Sequence, residues 1–377
     1  MRSSSSPRLL FALLLLLTSL TWTAASAGTI AAADAQYPQT VEYWALGDSI
    51  AAGTGLGDDS LGLSLTPCSR SWDRSYPQRV AEILRTQIAD VQFPASQFLA
   101  CSGARVTFDA QGAVNRCFQK YWFNLDCRNK MLRNQVDTVV AHLEWNKWFG
   151  TQKPTIVTIS AGINDLTYTD PLTVYQAITW GDDFFNWLIT QRADGVRLGL
   201  KAEITRLLQY PNVTVVVNDV HNPFNTDSFM FHLPGSQCSV APPPYQGAPS
   251  YDCYQRTEDA VHAINSAIEV AVSETGINGR VATASVHELF HGHESPQASG
   301  PAGVTQCGLA PPGVEDTWVQ YATDPASNTR PFLFDGLPQL LIPGAGQWTG
   351  DCVHPNDTGA QEFANTVSSV IFQMIGQ

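Results

Sequence analysis

Short apolar strands alternate with helical segments along most of this chain. The clearest strand is Pro154–Ser160, in which every residue from Thr155 to Ile159 is β-branched. Strands without alternating polar residues are buried on both faces, and helices between them indicate a parallel sheet. Strands are predicted at Val41–Leu46, Gln97–Ala100, Pro154–Ser160, Val213–Val217 and Arg280–Val286. The sequence therefore predicts an α/β fold.

Apolar residues at helical spacing lie between and after these strands. In Glu258–Ser273, for example, Val261, Ile264, Ile268 and Val272 share one face. Other helices are predicted from Ser75, around Val136–Leu143, at Lys201–Gln209 and at Thr358–Ile375. No repeat and no linker divides the chain, so we predict one domain over residues 28–377. Its long insertions are expected near 105–150, 166–200, 222–256 and 292–350.

The N-terminal segment has the pattern of a secretory signal peptide. Arg2 and Arg8 precede an apolar run, and Ala25-Ser-Ala27 resembles a cleavage site. The run is too short for a membrane span with stop-transfer flanks. We therefore expect residues 1–27 to be removed and the protein to be secreted, without a stable membrane anchor.

The chain is acidic, with a formal net charge of −13 at pH 7. Removing the signal segment, which carries two arginines and no acid, makes the charge more negative. Such a surface disfavours electrostatic binding to nucleic acid or to anionic membranes. It suits a protein that is soluble outside the cell, and we expect a monomer.

Eight cysteines are present, and an even count in an exported chain favours disulfides. They are Cys68, Cys101, Cys117, Cys127, Cys238, Cys253, Cys307 and Cys352. No two of them form a Cys-x-x-Cys pair, which disfavours a zinc knuckle or a thioredoxin-type site. The spacing alone leaves 105 pairings open.

Four loops carry groups suited to acyl transfer. Ser49 follows the first predicted strand, Gly103 the second and Asn164 the third, whereas Asp351 and His354 precede the last helix. A serine hydroxyl becomes a strong nucleophile when a base takes its proton, and His354 can do so near neutral pH. Asp351 is close enough in sequence to orient that imidazole. The N–H groups of Ser49 and Gly103 and the Asn164 amide could stabilise an oxyanion.

These blocks resemble those of the SGNH hydrolases, also called the GDSL esterase/lipase family. Gly47-Asp48-Ser49, Gly103, Gly162-x-Asn164-Asp165 and Asp351-x-x-His354 match the family blocks in order. Cys68-Ser-Arg-Ser71, Ser75-Tyr-Pro77, Ala100-Cys-Ser-Gly103 and His354-Pro-Asn356 resemble secreted actinobacterial lipases and esterases. The resemblance implies a three-layer α/β/α sandwich with a parallel sheet of about five strands. It also implies that the partner is a small-molecule or lipid ester substrate, hydrolysed with no metal and no cofactor.

The same resemblance suggests part of the disulfide pattern. Pairs Cys68–Cys101, Cys117–Cys127 and Cys238–Cys253 are similar to those of the actinobacterial lipases. Cys307–Cys352 is then the pair that remains. It would tie the loop of His354 to the insertion before it.

His287-Glu-Leu-Phe-His291 offers a competing interpretation, because it fits the H-E-x-x-H pattern of zinc proteases. That pattern needs two histidines on one face of a helix. Here a strand is predicted immediately before it, and Gly292 and Pro296 follow. We therefore expect a serine mechanism rather than a zinc one.

The substrate remains open at the level of sequence. Lipase, phospholipase and carbohydrate esterase activities would all use the same site residues, although the aromatic segment Tyr168–Trp187 favours an acyl chain over an acetyl group. An alternative from another class is an inactive carbohydrate-binding module. Its candidate stacking residues are Trp145, Trp148, Trp180, Trp187, Trp318 and Trp348.

Overall fold

Five parallel strands form a single sheet, as the sequence predicts. The strands are β1 (Thr40–Gly47), β2 (Asp90–Gln92), β3 (Thr155–Ser160), β4 (Val213–Asn218) and β5 (Val281–Ala284). Their order is β2-β1-β3-β4-β5. The computed structural model describes residues 37–54, 56, 68, 70–107, 110–121, 124–166, 182–222, 253–276, 279–290, 355 and 357–376. Within them, Pro38–Ile375 belong to one compact unit.

Helices follow most of the strands. The α-helices are α1 (Ser49–Ala52), α2 (Tyr76–Leu84), α3 (Ala110–Tyr121), α4 (Leu132–Phe149), α5 (Ile163–Leu166), α6 (Asp182–Leu208), α7 (Cys253–Glu274), α8 (His287–Phe290) and α9 (Asp357–Ile375). Two 3₁₀ helices cover Ala95–Gln97 and Leu125–Lys130. None of the described helices has both the length and the apolar character needed to cross a membrane.

The helices cover both faces of the sheet, which gives three layers. On one face, α4, α6 and α7 pack their apolar residues against Trp44 and Leu46 of β1 and against Val157 and Ile159 of β3. Successive side chains of a strand point to opposite faces, so β1 and β3 use alternate residues here. The predicted α/β/α class is therefore confirmed.

The opposite face is covered by α2 and α9, which contact each other. Tyr76 of α2 stacks on Phe363 of α9 with ring centroids 5.2 Å apart, and both side chains are fully buried. Helix α9 also contacts β4 and β5. Helix α9 therefore covers this face of the sheet together with α2.

The prediction of the second strand was wrong in position. The paired strand is β2, Asp90–Gln92, whereas Gln97–Ala100 touches β1 through a single bridge between Ala45 and Phe98. The amides of Leu99 and Ala100 both donate to the Ala45 carbonyl, at 2.9 and 3.1 Å. Because two successive residues share one acceptor, the regular ladder cannot continue. Burial of this segment made it look like a strand in the sequence.

The carboxyl ends of the central strands are level with one another. Gly47 pairs with Ser160, Ser160 with Asn218, and Asn218 with Ala284. In open parallel sheets, ligands bind outside the carboxyl ends of the strands, where the strand order reverses. That point lies between β1 and β3 in this order, so the loops carrying Ser49 and Asn164 flank it.

Candidate active site

Ser49 lies on a sharp strand-to-helix turn at the end of β1. It is the first residue of α1, and the Asp48 carboxylate caps this helix by accepting a hydrogen bond from the Ile50 amide at 3.0 Å. Helix α1 ends after one turn at Gly53, whose φ of 69° is left-handed. Ser49 is 7% exposed. The turn therefore holds the hydroxyl at the edge of the sheet.

Gly47 allows β1 to approach β3 more closely than any other residue could. Its φ is 130°, and a Cβ placed there would lie 2.0 Å from the Ser160 carbonyl oxygen. The next amide, that of Asp48, donates to the same oxygen at 2.8 Å. The turn that carries Ser49 is thus fixed to the end of β3.

The buried side chain of Gln135, on α4, clamps the Gly47 peptide groups. Its Oε1 accepts from the Gly47 N–H at 2.7 Å, and its Nε2 donates to the Gly47 carbonyl at 2.9 Å. Nε2 also donates to the Asn129 carbonyl at 2.7 Å. We did not single out this residue from the sequence. The signal was a polar residue on the apolar face of a helix, between Leu132 and Val139.

The loop that carries Gly103 is fixed to the same point. The Cys101 amide donates to the Gly47 carbonyl at 2.9 Å, and Cys101 forms a disulfide with Cys68. Gly103 has a φ of 74°, and a Cβ there would meet only the Lys130 Nζ, at 3.8 Å. Among the described residues, the left-handed backbone rather than crowding therefore accounts for the glycine.

The loop after β3 is tied to the Gly103 loop by two adjacent side chains. Asn164 Nδ2 donates to the Ala104 carbonyl at 3.1 Å. The Asp165 carboxylate accepts from the amides of Val106 and Thr107, at 3.0 and 2.9 Å. Burial raises the pKa of Asp165 above its usual value, although these hydrogen bonds favour the charged form. The structure thus brings the loops of Ser49, Gly103 and Asn164 together in one hydrogen-bonded network.

A narrow cleft opens beside Ser49, with a volume of about 10 Å³, enough for roughly one water molecule. It is lined by Ser49, Ile50, Gly53, Thr54, Leu56, Tyr76, Pro355, Ala360 and Phe363. Most of these residues are apolar. Pro355, which lines this cleft, directly follows His354 in the sequence.

The start of α9 is held against α2 by charged groups. Asp357 forms ion pairs with Arg74 and with Arg79, the latter at 2.7 Å. Arg79 also donates to Gln361 at 2.9 Å. Asp357 is three residues after His354, so these contacts limit where the preceding loop can enter α9.

Several predicted residues lie outside the described part of the chain. These are Asp351, His354 and the side chains of Cys238, Cys253, Cys307 and Cys352. Residues 1–27, Trp180, Trp318, Trp348 and most of Tyr168–Trp187 also lie outside it. The structure does contain the predicted disulfides Cys68–Cys101 and Cys117–Cys127.

The described tryptophans of the carbohydrate-binding alternative are exposed. Trp145, Trp148 and Trp187 have exposed fractions of 61, 86 and 58%. Trp145 and Trp148 lie near the end of α4, which leads into the amino end of β3. They are therefore at the edge of the sheet opposite Ser49. Trp187 is the last residue of the aromatic segment Tyr168–Trp187, most of which lies outside the described residues.

The H-E-x-x-H segment does not supply a two-histidine helix face among the described residues. Helix α8 begins at His287 and ends at Phe290, and His291 lies outside the described part. The His287 ring instead faces α7, where its Nε2 is 3.0 Å from Glu258 Oε1.

The chain matches a known protein family. The family model described as "GDSL-like Lipase/Acylhydrolase family" matches residues 45–303. No curated protein matches the sequence.

The following three are among the solved structures that are similar to the chain. An extracellular lipase from Streptomyces rimosus is 21% identical, with a TM-score of 0.44, covering 87% of this chain and 100% of the lipase. Phospholipase A1 from Streptomyces albidoflavus NA297 is 17% identical, with a TM-score of 0.43, over 86% of this chain and 98% of that one. A possible lipase from Chitinophaga pinensis is 16% identical, with a TM-score of 0.33, over 89% and 98%.

Proposed function

Because the chain belongs to the GDSL-like lipase/acylhydrolase family, we propose that it hydrolyses carboxylic esters through an acyl-enzyme on Ser49. The observation that carries this proposal is the position of Ser49. It begins α1 at the carboxyl end of β1, in a cleft that it shares with Pro355. A nucleophile and the residue next to a histidine therefore line the same small space.

In the proposed reaction, His354 removes the Ser49 proton as Oγ attacks the ester carbonyl, and Asp351 orients the imidazole. The tetrahedral intermediate collapses as His354 protonates the leaving alcohol. Water, activated by the same histidine, then releases the acid from Ser49. No metal and no cofactor takes part in this scheme.

The oxyanion would be stabilised by the amides of Ser49 and Gly103 and by the Asn164 side chain. Donors of this kind are effective when the protein holds them rigid before the reaction begins. The contacts of Gly47 with Cys101, and of Asn164 with Ala104, supply that rigidity. The Asp165 carboxylate, which is 1% exposed, adds a buried tie between the same two loops.

The apolar surroundings of Ser49 favour an acyl chain in the substrate. Ile50, Leu56 and Phe363 pack beside it and give the floor of the site a hydrocarbon character, whereas a polar sugar ring would need hydrogen-bonding partners. A lipid or aryl ester of a fatty acid is therefore the proposed substrate class. The two disulfides support export to an oxidising compartment.

The proposal is tested with a series of aryl esters of increasing acyl length, followed by phospholipid and acetylated xylan. Ser49→Ala and His354→Ala should each lower kcat by about 10⁴-fold or more, and the double variant should lose little beyond that. Ser273→Ala, on the exposed end of α7, is the control and should retain full activity.

A serine-directed phosphonate provides the second measurement. Peptide mapping should locate the adduct on Ser49 alone, and a chelator should leave turnover unchanged. Full activity of the folded Ser49→Ala variant would overturn the proposal. A preference for acetylated xylan over every acyl ester would assign the site to a carbohydrate esterase instead.

A further inference from the structure

A cluster of possible metal ligands lies at the carboxyl edge of the sheet, away from Ser49. Glu258 and His262 come from α7, and His287 is the first residue of α8. Within the part of the chain that the structure describes, this is the group of three whose ligand atoms all lie within 4.8 Å of one another.

The three ligand atoms converge on one point. Glu258 Oε1 is 3.0 Å from His287 Nε2 and 3.3 Å from His262 Nε2. Zinc binds imidazole nitrogen and carboxylate oxygen at about 2.0–2.2 Å, and tetrahedral geometry then separates neighbouring ligand atoms by about 3.4 Å. The distances from Glu258 Oε1 to the two histidine nitrogens are both close to that spacing.

The backbone explains why these side chains meet. Glu258 and His262 are four residues apart on one helix, so they lie on the same face. His287 is brought to that face by Asp219, at the end of β4. The Asp219 carboxylate accepts hydrogen bonds from the amides of Val286 and His287 at 2.6 and 2.9 Å. Buried hydrogen bonds between β4 and the turn after β5 therefore hold the third ligand, His287, in place.

A second contact aims the Glu258 carboxylate. Asn222 Nδ2 donates to Glu258 Oε2 at 2.6 Å, which leaves Oε1 directed at the two histidines. Metal-binding carboxylates are commonly held in this way by an outer hydrogen bond, which fixes the orientation of the ligand. His287 is 8% exposed at its side chain and Glu258 is 15%, whereas His262 is 56% exposed. The site thus has two fixed ligands and one at the surface, through which an ion can enter.

We propose that Glu258, His262 and His287 bind one zinc ion. Two imidazoles and one carboxylate form a ligand set that suits Zn²⁺, with water in the fourth position. The ion would join α7 to the turn between β5 and α8.

This zinc site is separate from the proposed ester chemistry. Strands β3 and β4 lie between β1 and β5. Three strand spacings of about 4.8 Å put the two loops roughly 14 Å apart. The ion therefore has a stabilising role, and it is also distinct from an H-E-x-x-H site, which would need His291 in place of His262.

The consequence for the fold passes through α8. Phe290, its last residue, packs against His221 and Phe363, with centroids 4.3 and 5.4 Å apart. Phe363 lines the cleft beside Ser49. Removal of a metal that anchors the first residue of α8 should therefore lower the stability of this packing, while turnover well below the melting temperature stays unchanged.

The test is a titration of the chelator-treated full chain with zinc chloride, followed by calorimetry and by metal analysis after dialysis. One zinc ion per chain is expected. His262→Ala should weaken binding by at least about tenfold, because even outer-contact losses have effects of this size. Glu269→Gln, an exposed change on the same helix, is the matched control and should bind like the wild type. Magnesium, which prefers oxygen ligands, should not compete.

Thermal unfolding provides the second readout, and it does not depend on activity. Zinc at a hundredfold excess over its Kd should raise the Tm of the wild type by roughly 5 °C. The rise should be lost in Glu258→Gln. Equal zinc affinity of His262→Ala and the wild type would overturn the proposal. So would loss of zinc in His291→Ala with retention in His262→Ala, because that result assigns the ion to the H-E-x-x-H pair.

Discussion

The side-chain amide of Gln135 holds both polar groups of Gly47, accepting from its N–H at 2.7 Å and donating to its carbonyl at 2.9 Å. The two residues are 88 positions apart in sequence. Gln135 is fully buried, and Gly47 lies two residues before Ser49. Helix α4 therefore determines where the β1 turn presents its serine.

Replacing Gln135 with methionine should lower both stability and turnover. The change keeps the volume but leaves the Gly47 N–H and two carbonyls without this partner. We expect the free energy of unfolding to fall by about 2–4 kcal/mol, and kcat to fall roughly tenfold because the nucleophile moves. Urea unfolding and ester kinetics measure the two effects. Thr138→Ala, exposed on the same helix, should change neither, and wild-type kcat in a folded Gln135→Met protein would refute the positioning role.

The two disulfides should differ in their effect on activity. Cys68 and Cys101 are 33 positions apart in sequence, and Cys117 and Cys127 are 10 apart. The chain-entropy model therefore assigns the two bridges stabilisations of about 4 and 3 kcal/mol, respectively. Cys101 also bonds Gly47 and lies two residues before Gly103. Alanine replacement of the first pair should reduce kcat well below the melting transition, whereas replacement of the second pair should mainly lower Tm. Equal turnover of the two variants at low temperature would contradict this.

Asn164→Ala should lower kcat by about 10²–10³-fold with little change in KM. The amide acts on the oxyanion, which exists only along the reaction path. Steady-state kinetics with one aryl ester separate the two parameters. Asn115→Ala, exposed on α3, serves as the control. A rise in KM at constant kcat would mean that Asn164 binds the ground-state substrate instead.

Asp357→Asn should impair turnover more than stability. Its ion pairs with Arg74 and Arg79 are partly exposed, so we expect a loss of less than about 1 kcal/mol. The same pairs hold the start of α9, and a shift of the loop that contains His354 should lower kcat roughly tenfold. Asp137→Asn, which breaks a pair with Arg206 on α6, is the control and should keep its activity. Wild-type kcat in Asp357→Asn would show that α9 is positioned by packing alone.

Asp165 should add a pH-dependent component to stability. Burial raises its pKa above the ordinary 3.8, so the folded protein holds this proton more tightly than the unfolded chain. The resulting stabilisation is complete below the ordinary pKa and is lost as pH rises through the raised one. Asp165→Asn should abolish this slope. Urea unfolding of the wild type and of Asp165→Asn between about pH 3.5 and 7 tests this pH dependence. Any contribution of Asp219 and Glu203 is the same in both proteins and cancels in the comparison. A difference in stability that does not vary with pH would contradict the raised pKa.

Local patterns in the sequence were sufficient for the central fold. The β-branched run at Thr155–Ile159 and the apolar run at Val213–Val217 became β3 and β4 because such residues form strands wherever both faces are buried. The glycine before Asp48 and Ser49 predicted a tight turn, and the turn is present. Ser49 and Asn164 could be selected because each follows a strand in sequence, and parallel strands bring such loops to one edge. Gly103 was selected because it follows Gln97–Ala100, a segment that contacts β1 through a single bridge rather than as a strand.

Contacts between distant segments could not be read in the same way. The clamp of Gln135 on Gly47, the tie of Asp165 to Val106 and Thr107, and the convergence of Glu258, His262 and His287 depend on which elements pack side by side. The sequence offers His287 only as part of an H-E-x-x-H pattern with His291, which we did not favour, whereas the fold directs His287 toward α7. Similarly, Gln97–Ala100 has the composition of a strand, but two of its amides share the Ala45 carbonyl and prevent a ladder. The strands β1, β3, β4 and β5, the turn before Ser49 and the residue types at the strand ends follow from backbone preference and local burial, which are readable in the sequence. How the loops are held together and which polar groups meet depends on the packed layers, because hydrogen bonds across tens of residues form only after the layers have packed.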